Sequence, residues 1–241
     1  MPKFYEKWTV LPHGPLKTVD DGIITVEGDI PMPLGQFPRR MTVVRLSRNR
    51  TAIFSAIALK EAGMRRIEEL GKPSFLIVPN GHHRLDAHIW KQRYPELKVL
   101  SPPAAKKSVA EAAPVDATKG TFGDKSVEFV TVAGTDGAEA ALVIRRKSGT
   151  TLVVNDVIAN VRHPRGIGAK VMARTFGFGV NGPRVPRVVN WVMIKDRKAL
   201  ARQFRDWADE PDLRRIIVSH GDLIENDPEG VLRSLAAKLN D

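Results

Sequence analysis

Apolar positions along the chain recur every second residue in some stretches and every third or fourth in others, and this change of period marks the elements. In GIITVEGDIPMP the apolar positions are Ile23, Ile24 and Val26, and in MTVVRLSRNRTAIFSAI they are Met41, Val43, Val44 and Leu46. Both stretches predict strands, joined by a Gly/Pro-rich turn. Arg48-Asn49-Arg50 predicts a turn before a further strand from Thr51 to Ile57. From Leu59 to Leu70 the period changes, with Met64, Ile67 and Leu70 on a helical face that Gly71-Lys72-Pro73 closes. Phe75 to Val78 is a run of the kind a buried strand gives, stopped by Pro79-Asn80-Gly81. The next helix places Leu85, Ile89 and Trp90 on one side, Arg84, Lys91 and Arg93 on the other, and ends before Pro95. Lys98 to Leu100 predicts one more short strand.

The second half repeats the pattern with different spacing. SVEFVTVAG and AEAALVIRRKSG predict strands on either side of Thr135-Asp136-Gly137, and TTLVVNDVIANV is a β-branched run ending at an aspartate. Residues 162 to 190 are rich in Gly, Pro and Arg without a clear period and predict a long loop or short helices. LARQFRDWADE predicts a helix ending before Pro211, Arg215 to Val218 a strand, and Pro228 to Leu239 a helix with Val231, Leu232, Leu235 and Leu239 on one face. Strand-rich halves each followed by helices predict two sheets packed together with helices outside. There is no tandem repeat, linker or low-complexity run, so the expectation is one domain over residues 1–241, with an N-terminal arm (1–20) anchored by Trp8.

Composition narrows the chemistry. The absence of cysteine excludes thiol catalysis, disulfides and cysteine-ligated zinc, and leaves histidine–carboxylate metal sites open. No run approaches 18 apolar residues and the N-terminus has charges and prolines where a signal peptide needs an apolar core, so no transmembrane segment and a cytoplasmic location are expected. The formal charge of +11 favours anionic partners. Between Arg162 and Arg205 there are eleven Lys and Arg residues and a single acid, Asp196, with Phe176, Phe178 and Trp191 interleaved. Arg39, Arg40, Arg45, Arg48 and Arg50 form a second cluster. The Arg162–Arg205 stretch could bind nucleic acid or an anionic lipid surface, the latter through Gly177-Phe178-Gly179. A solvated basic face is the plainer reading. No glycine-rich phosphate loop is present.

Polar residues at strand ends carry the candidate site. His82 and His83 follow Phe75 to Val78, Asp156 follows Thr151 to Asn155, and His220 follows Ile216 to Ser219. Three of the six histidines (His82, His83, His88) fall within seven residues at one strand-to-helix crossing, with Asp86 in or near the first helical turn. Such crossings hold ligands in open α/β folds. Histidine with carboxylate is a donor set that zinc, iron or manganese accepts, and three protein ligands with an open position is the catalytic arrangement.

The order of these elements resembles the metallo-β-lactamase superfamily over roughly residues 20 to 235. The resemblance implies a four-layer αββα sandwich. It also implies an eroded metal motif: the family's H-x-H-x-D-H corresponds to Asn80, His82, Arg84 and Leu85, and its Gly-His-Thr to Gly134-Thr135-Asp136. Only His82 remains of the first motif, unless a shift of one residue brings in His83 and Asp86. Asp156 matches the bridging aspartate and His220 the last histidine. The implied site is mononuclear, with His82 or His83, Asp156 and His220 on one Zn, Fe or Mn ion, or no ion at all. Asp86 or Asp222 would serve as proton acceptor in hydrolysis of an ester, amide or lactone of unknown identity. Arg84 in a ligand position would oppose an ion. The alternative class is a non-catalytic protein of the same fold, binding an anionic partner through its basic surface. In that case His82 and His83 serve as capping and hydrogen-bonding residues, and Asp156 closes a turn. His88 is expected to pack within its helix, His163 to lie on the surface and His13 to belong to the arm.

Overall fold

The structure, a computed structural model, describes residues 3–32, 35–120, 122–164 and 167–240, with the side chains of residues 32, 35, 167, 169 and 172 left undescribed. Met1 and Pro2 of the arm, Pro33 of the first predicted strand, and Arg165 and Gly166 of the basic stretch lie outside the described residues.

The first sheet is built from β1 (Lys17–Asp20), β2 (Ile23–Met32), β3 (Gly35–Leu46), β4 (Arg50–Phe54), β5 (Lys72–Ile77) and β6 (Lys98–Leu100), lying side by side in chain order. The pairs from β1 to β4 are antiparallel, and β4, β5 and β6 run parallel. Between the paired Leu46 and Arg50 the three-residue loop Ser47-Arg48-Asn49 closes the hairpin, with Arg48 and Asn49 at positive φ (60° and 53°). The second sheet has the order β10-β9-β8-β7, from β7 (Val127–Thr131), β8 (Ala140–Arg146), β9 (Gly149–Val154) and β10 (Leu213–Val218). Its pairs are antiparallel except β9 with β10. β1 lies within the segment expected as an arm. Trp8 anchors the residues before it by donating from Nε1 to the carbonyl of Leu59 at 2.9 Å and by packing on Trp90.

Strand alternation explains the layers. On β3, Met41 and Val43 face outward to α1 (Glu61–Leu70) and α2 (Ala87–Arg93), where they meet Met64, Ile67, Ile89 and Trp90. Val44 and Leu46, of opposite parity, face the second sheet. On β8, Ala140, Leu142 and Ile144 complete that inter-sheet core, while Ala141 and Val143 face α6 (Arg197–Ala208) and α7 (Pro228–Asn240). The result is the αββα sandwich. Leu142 has no exposure and shortening it to Ala would cost about 2–5 kcal/mol. Between β9 and α6 the Gly/Pro/Arg-rich stretch forms α4 (Ile167–Phe176) and α5 (Arg187–Val192), so short helices interrupt the loop. Among the described residues no helix is long and apolar enough to cross a membrane.

Candidate metal centre

Two parallel strand pairs set the position of the site. β4 and β5 run parallel in the first sheet, β9 and β10 in the second, and the loops after these four strands supply the site. After β4 comes Ser55, after β5 the turn from Asn80 to His83, after β9 Asp156, and after β10 His220. This is the strand-end placement at which open α/β sheets collect ligands.

Three donor atoms converge there. His220 Nε2 lies 2.9 Å from Asp156 Oδ1, His83 Nε2 lies 3.4 Å from the same oxygen, and the two imidazole nitrogens are 3.2 Å apart. Among the described residues His83, Asp156 and His220 are the histidine and carboxylate side chains grouped closely enough to hold one ion. A tetrahedral zinc with donors at about 2.0–2.1 Å separates them by roughly 3.3 Å, so the triangle fits one face of such an ion. The chemistry of the set fits as well. The Nδ1 of His220 is 2.7 Å from the carbonyl of Pro38, which can only accept, so Nδ1 carries a hydrogen and the neutral ring would offer its Nε2 lone pair to an ion in the cluster. Three electron-rich atoms this close repel unless positive charge stands among them. A divalent ion satisfies all three at once, whereas a proton satisfies one pair.

Supporting contacts fix each ligand. Ser55, in the left-handed region at φ 56°, brings its Oγ to 2.9 Å from His83 Nδ1. Asn80 is the hub: its Oδ1 accepts from the backbone N–H groups of His82 and His83 at 2.8 and 3.2 Å. Its Nδ2 donates to Asp156 Oδ2 at 2.7 Å and to Glu139 Oε2 at 2.8 Å. Glu139 Oε1 in turn accepts from the backbone N–H of Asp156 at 2.7 Å. These outer contacts orient ligands in the way that governs metal affinity. Arg40 crosses between the sheets, donating to the carbonyls of Val218 at 3.1 Å and Gly221 at 2.6 Å, and so ties down both ends of the His220 turn. Gly221 has φ 103°, and a Cβ there would meet the Asn160 carbonyl at 2.1 Å, so only glycine lets the chain turn after the ligand.

Electrostatics prepares the ligands for a cation. Burial pushes the His83 imidazole below the ordinary histidine value of 6.5, against the pull of Asp156, and favours its neutral form. Burial alone would raise the Asp156 carboxyl, but the two imidazoles hold it well below the usual carboxylate range. Burial and the Asp156 charge push Glu139 well above that range. The cluster is sheltered: the side chains of His83, Asp156 and His220 are 9, 13 and 5% exposed. The Phe37 ring lies 4.7 Å from that of His220, and Phe178 stands edge-on to Phe37 at 4.7 Å. Phe178 therefore covers the site, and is not the outward residue of a lipid-facing Gly177-Phe178-Gly179 tip.

The structure brings together three of the six residues singled out in the sequence. Of the adjacent histidines it selects His83, because the Asn80 turn points that ring at Ser55 and Asp156 and leaves His82 exposed. Asp86 lies outside the group: one carboxylate oxygen is held by Arg39 Nη1 and the other accepts from the Ala58 N–H at 3.0 Å. Asp222 is also outside the group but lines an adjoining cavity of about 330 Å³, together with Pro38, Arg39, Arg40, Arg162 and His163. Arg84 bonds the Gly81 carbonyl and Glu111, turned away from the three donors, so its charge does not occupy the site. His88 packs on Phe4 and bonds the Ala112 carbonyl, and His163 is exposed. Glu139, Ser55 and Phe37 went unmarked in the sequence. A carboxylate opening the apolar run AEAALVI was the one available signal for Glu139.

The basic stretch divides. Arg162 lines the cavity beside His220, whereas Arg174, Arg184 and Arg187 line a separate cleft. The second arginine cluster is largely consumed internally, by Asp86 (Arg39), Glu27 (Arg40) and Asp21 (Arg45).

The chain matches no protein-family model and no curated protein. Solved structures do resemble it. DIM-1 metallo-β-lactamase aligns at TM-score 0.62 with 13% identity, covering 95% of this chain and 99% of that one. A metallo-β-lactamase from Pontibacter korlensis aligns at 0.61 with 11% identity, covering 92% and 98%. The FIM-1 enzyme from Pseudomonas aeruginosa, in a mono-zinc form, aligns at 0.58 with 12% identity, covering 95% and 96%. At these identities the likeness concerns the fold, and with the layer order and strand topology above it establishes that the chain has the metallo-β-lactamase fold.

Proposed function

We propose that this protein is a mononuclear metal-dependent hydrolase whose ion is held by His83 Nε2, Asp156 Oδ1 and His220 Nε2. The observation that carries the reading is the convergence of these three atoms at 2.9 to 3.4 Å, with the outer nitrogens of both histidines engaged elsewhere. When bound, a divalent ion supplies Lewis acidity, polarising a carbonyl and lowering the pKa of water toward about 7. The Pro38 carbonyl and Ser55 hydroxyl keep the imidazole lone pairs directed inward. Asp222, on the cavity wall next to His220, offers a carboxylate oxygen to take a proton from water attacking an ester, amide or lactone. Phe37 and Phe178 limit the water that reaches the donors. Asp86, whose two carboxylate oxygens are taken by Arg39 and the Ala58 N–H, is left with an architectural role.

The FIM-1 enzyme's mono-zinc form shows that a sandwich of this shape can hold a single ion, which supports the stoichiometry. The basic helices after β9 are proposed to engage an anionic partner, with the cation-lined cleft as the supporting observation.

Elemental analysis of untagged protein, never exposed to chelator, tests the metal reading. The expected result is about one equivalent of Zn, Fe or Mn, most of it lost in His220→Ala. Two equivalents would refute the mononuclear site. No metal after incubation with Zn²⁺ or Mn²⁺, in protein that stays folded, would move it to the non-catalytic class.

A further inference from the structure

The face carrying α4 and α5 combines two features that rarely coincide by chance. Its apolar side chains project into solvent: Trp191 is 74% exposed, Val192 64%, Val171 55% and Phe176 43%. Beside them is a cleft of about 370 Å³ lined by Arg174, Arg184, Arg187 and Lys238, with no acidic residue among its described walls. A smaller neighbouring cleft shares Arg184, Arg187 and Lys238 and adds Arg197. Among the described residues none of Arg174, Arg184, Arg187 and Lys238 has an acidic partner. The two features are adjacent: Gly177, next to Phe176, packs against Arg187, and Trp191 lies one helical turn beyond Arg187 on the same side of α5.

We infer that this face docks on an anionic phospholipid surface, with Trp191, Val192, Val171 and Phe176 entering the headgroup–acyl boundary and the arginines holding lipid phosphates. The inference deepens the reading that the basic helices engage an anionic partner and rests on it. Charge complementarity excludes a second copy of the chain, since a self-complementary contact here would bring the same cations face to face. A nucleic acid would stack on Trp191 and Phe176 but gains nothing from two exposed valines. A bilayer interface rewards all four: the indole sits at headgroup level, the aliphatic groups reach the acyl region, and each basic residue near the surface strengthens binding about fivefold.

Co-sedimentation of the whole purified chain with phosphatidylcholine vesicles, with and without about one third phosphatidylserine, tests this. The expected result is binding that requires phosphatidylserine, weakens as salt rises, and falls about tenfold in Trp191→Ser/Val192→Ser and in Arg174→Glu/Arg187→Glu. Circular dichroism establishes that the variants are folded. In parallel, loss of the vesicle-induced blue shift in Trp191→Phe would locate the contact at that indole. Binding unchanged by the Trp191/Val192 variant overturns the proposal. Binding to a single-stranded RNA oligonucleotide but not to vesicles overturns it too, while leaving the anionic-partner reading intact. Binding to neither overturns both.

Discussion

Two buried polar groups lie within a few residues of each other in this protein, and they differ in charge balance. Arg39 and Asp86, 5% and 0% exposed, form a closed pair beneath the first sheet. Each charge has its opposite, and Ala58 occupies the remaining carboxylate oxygen. His83, Asp156 and His220 form an open group, in which a carboxylate and two imidazole nitrogens face one another with no cationic side chain among them. Burial is similar in both. The closed pair balances its own charge and holds architecture, although Arg39 Nε and Nη2 lack hydrogen-bond partners, whereas the open group would be balanced by a positive ion from outside. A buried polar cluster is thus diagnostic of function through what it lacks as well as through its burial.

Mutations on the two groups should separate them. His220→Ala leaves two donors and should remove nearly all bound metal, measured by elemental analysis, while the protein stays folded. Asp86→Ala strands the Arg39 guanidinium in the interior and should cost about 3–5 kcal/mol in urea unfolding, yet leave metal per folded molecule unchanged. The double variant Arg39→Met/Asp86→Leu should recover most of that loss, since no uncompensated charge remains. A metal content that falls with Asp86→Ala in step with its stability loss would join the two groups into one unit and end the contrast. Ser55→Ala removes the hydroxyl beside His83 Nδ1 and should weaken metal binding about 10–100-fold in competition with a chelator, with unfolding little changed.

The smallest effect concerns pH. The His83 imidazole lies below 6.5 in the fold because burial disfavours its charged form. Between its folded and unfolded values the unfolded chain therefore binds more protons, so the metal-free protein loses stability as pH falls from 6.5 toward the folded value. Asp156 acts with the same sign below 3.8, and Glu139, raised in the fold, with the opposite sign above 4.5. Urea midpoints of the metal-free protein should fall on acidification below 6.5, and less so in His83→Gln. Equal slopes in both proteins would show that the imidazole is not the group responsible.

Much of this was legible in the chain because periodicity is local. The β-branched runs marked β2, β3, β8, β9 and β10, and the helical face of Met64 and Ile67 marked α1. Asp156 and His220 were legible as polar residues ending apolar strands. The choice between His82 and His83 was not, because it depends on the Asn80 turn and on Ser55, which approaches from a neighbouring strand. The place of Asp86 at the start of α2 is legible from the helical period, but its partner Arg39 is 47 residues away. The basic run, continuous in the chain, divides between two clefts, and Phe178 turns inward to Phe37 and His220.

The sequence by itself determined the elements, their alternation of faces and the availability of histidine and carboxylate at strand ends, since these follow from local sterics and from the period of apolar residues. The tertiary structure alone decided which donors meet, which arginines are neutralised and which aromatics remain in water. Those outcomes depend on the packing of two sheets, which brings together residues more than 130 positions apart such as His83 and His220, and no local pattern encodes a distance of 3 Å across such a separation.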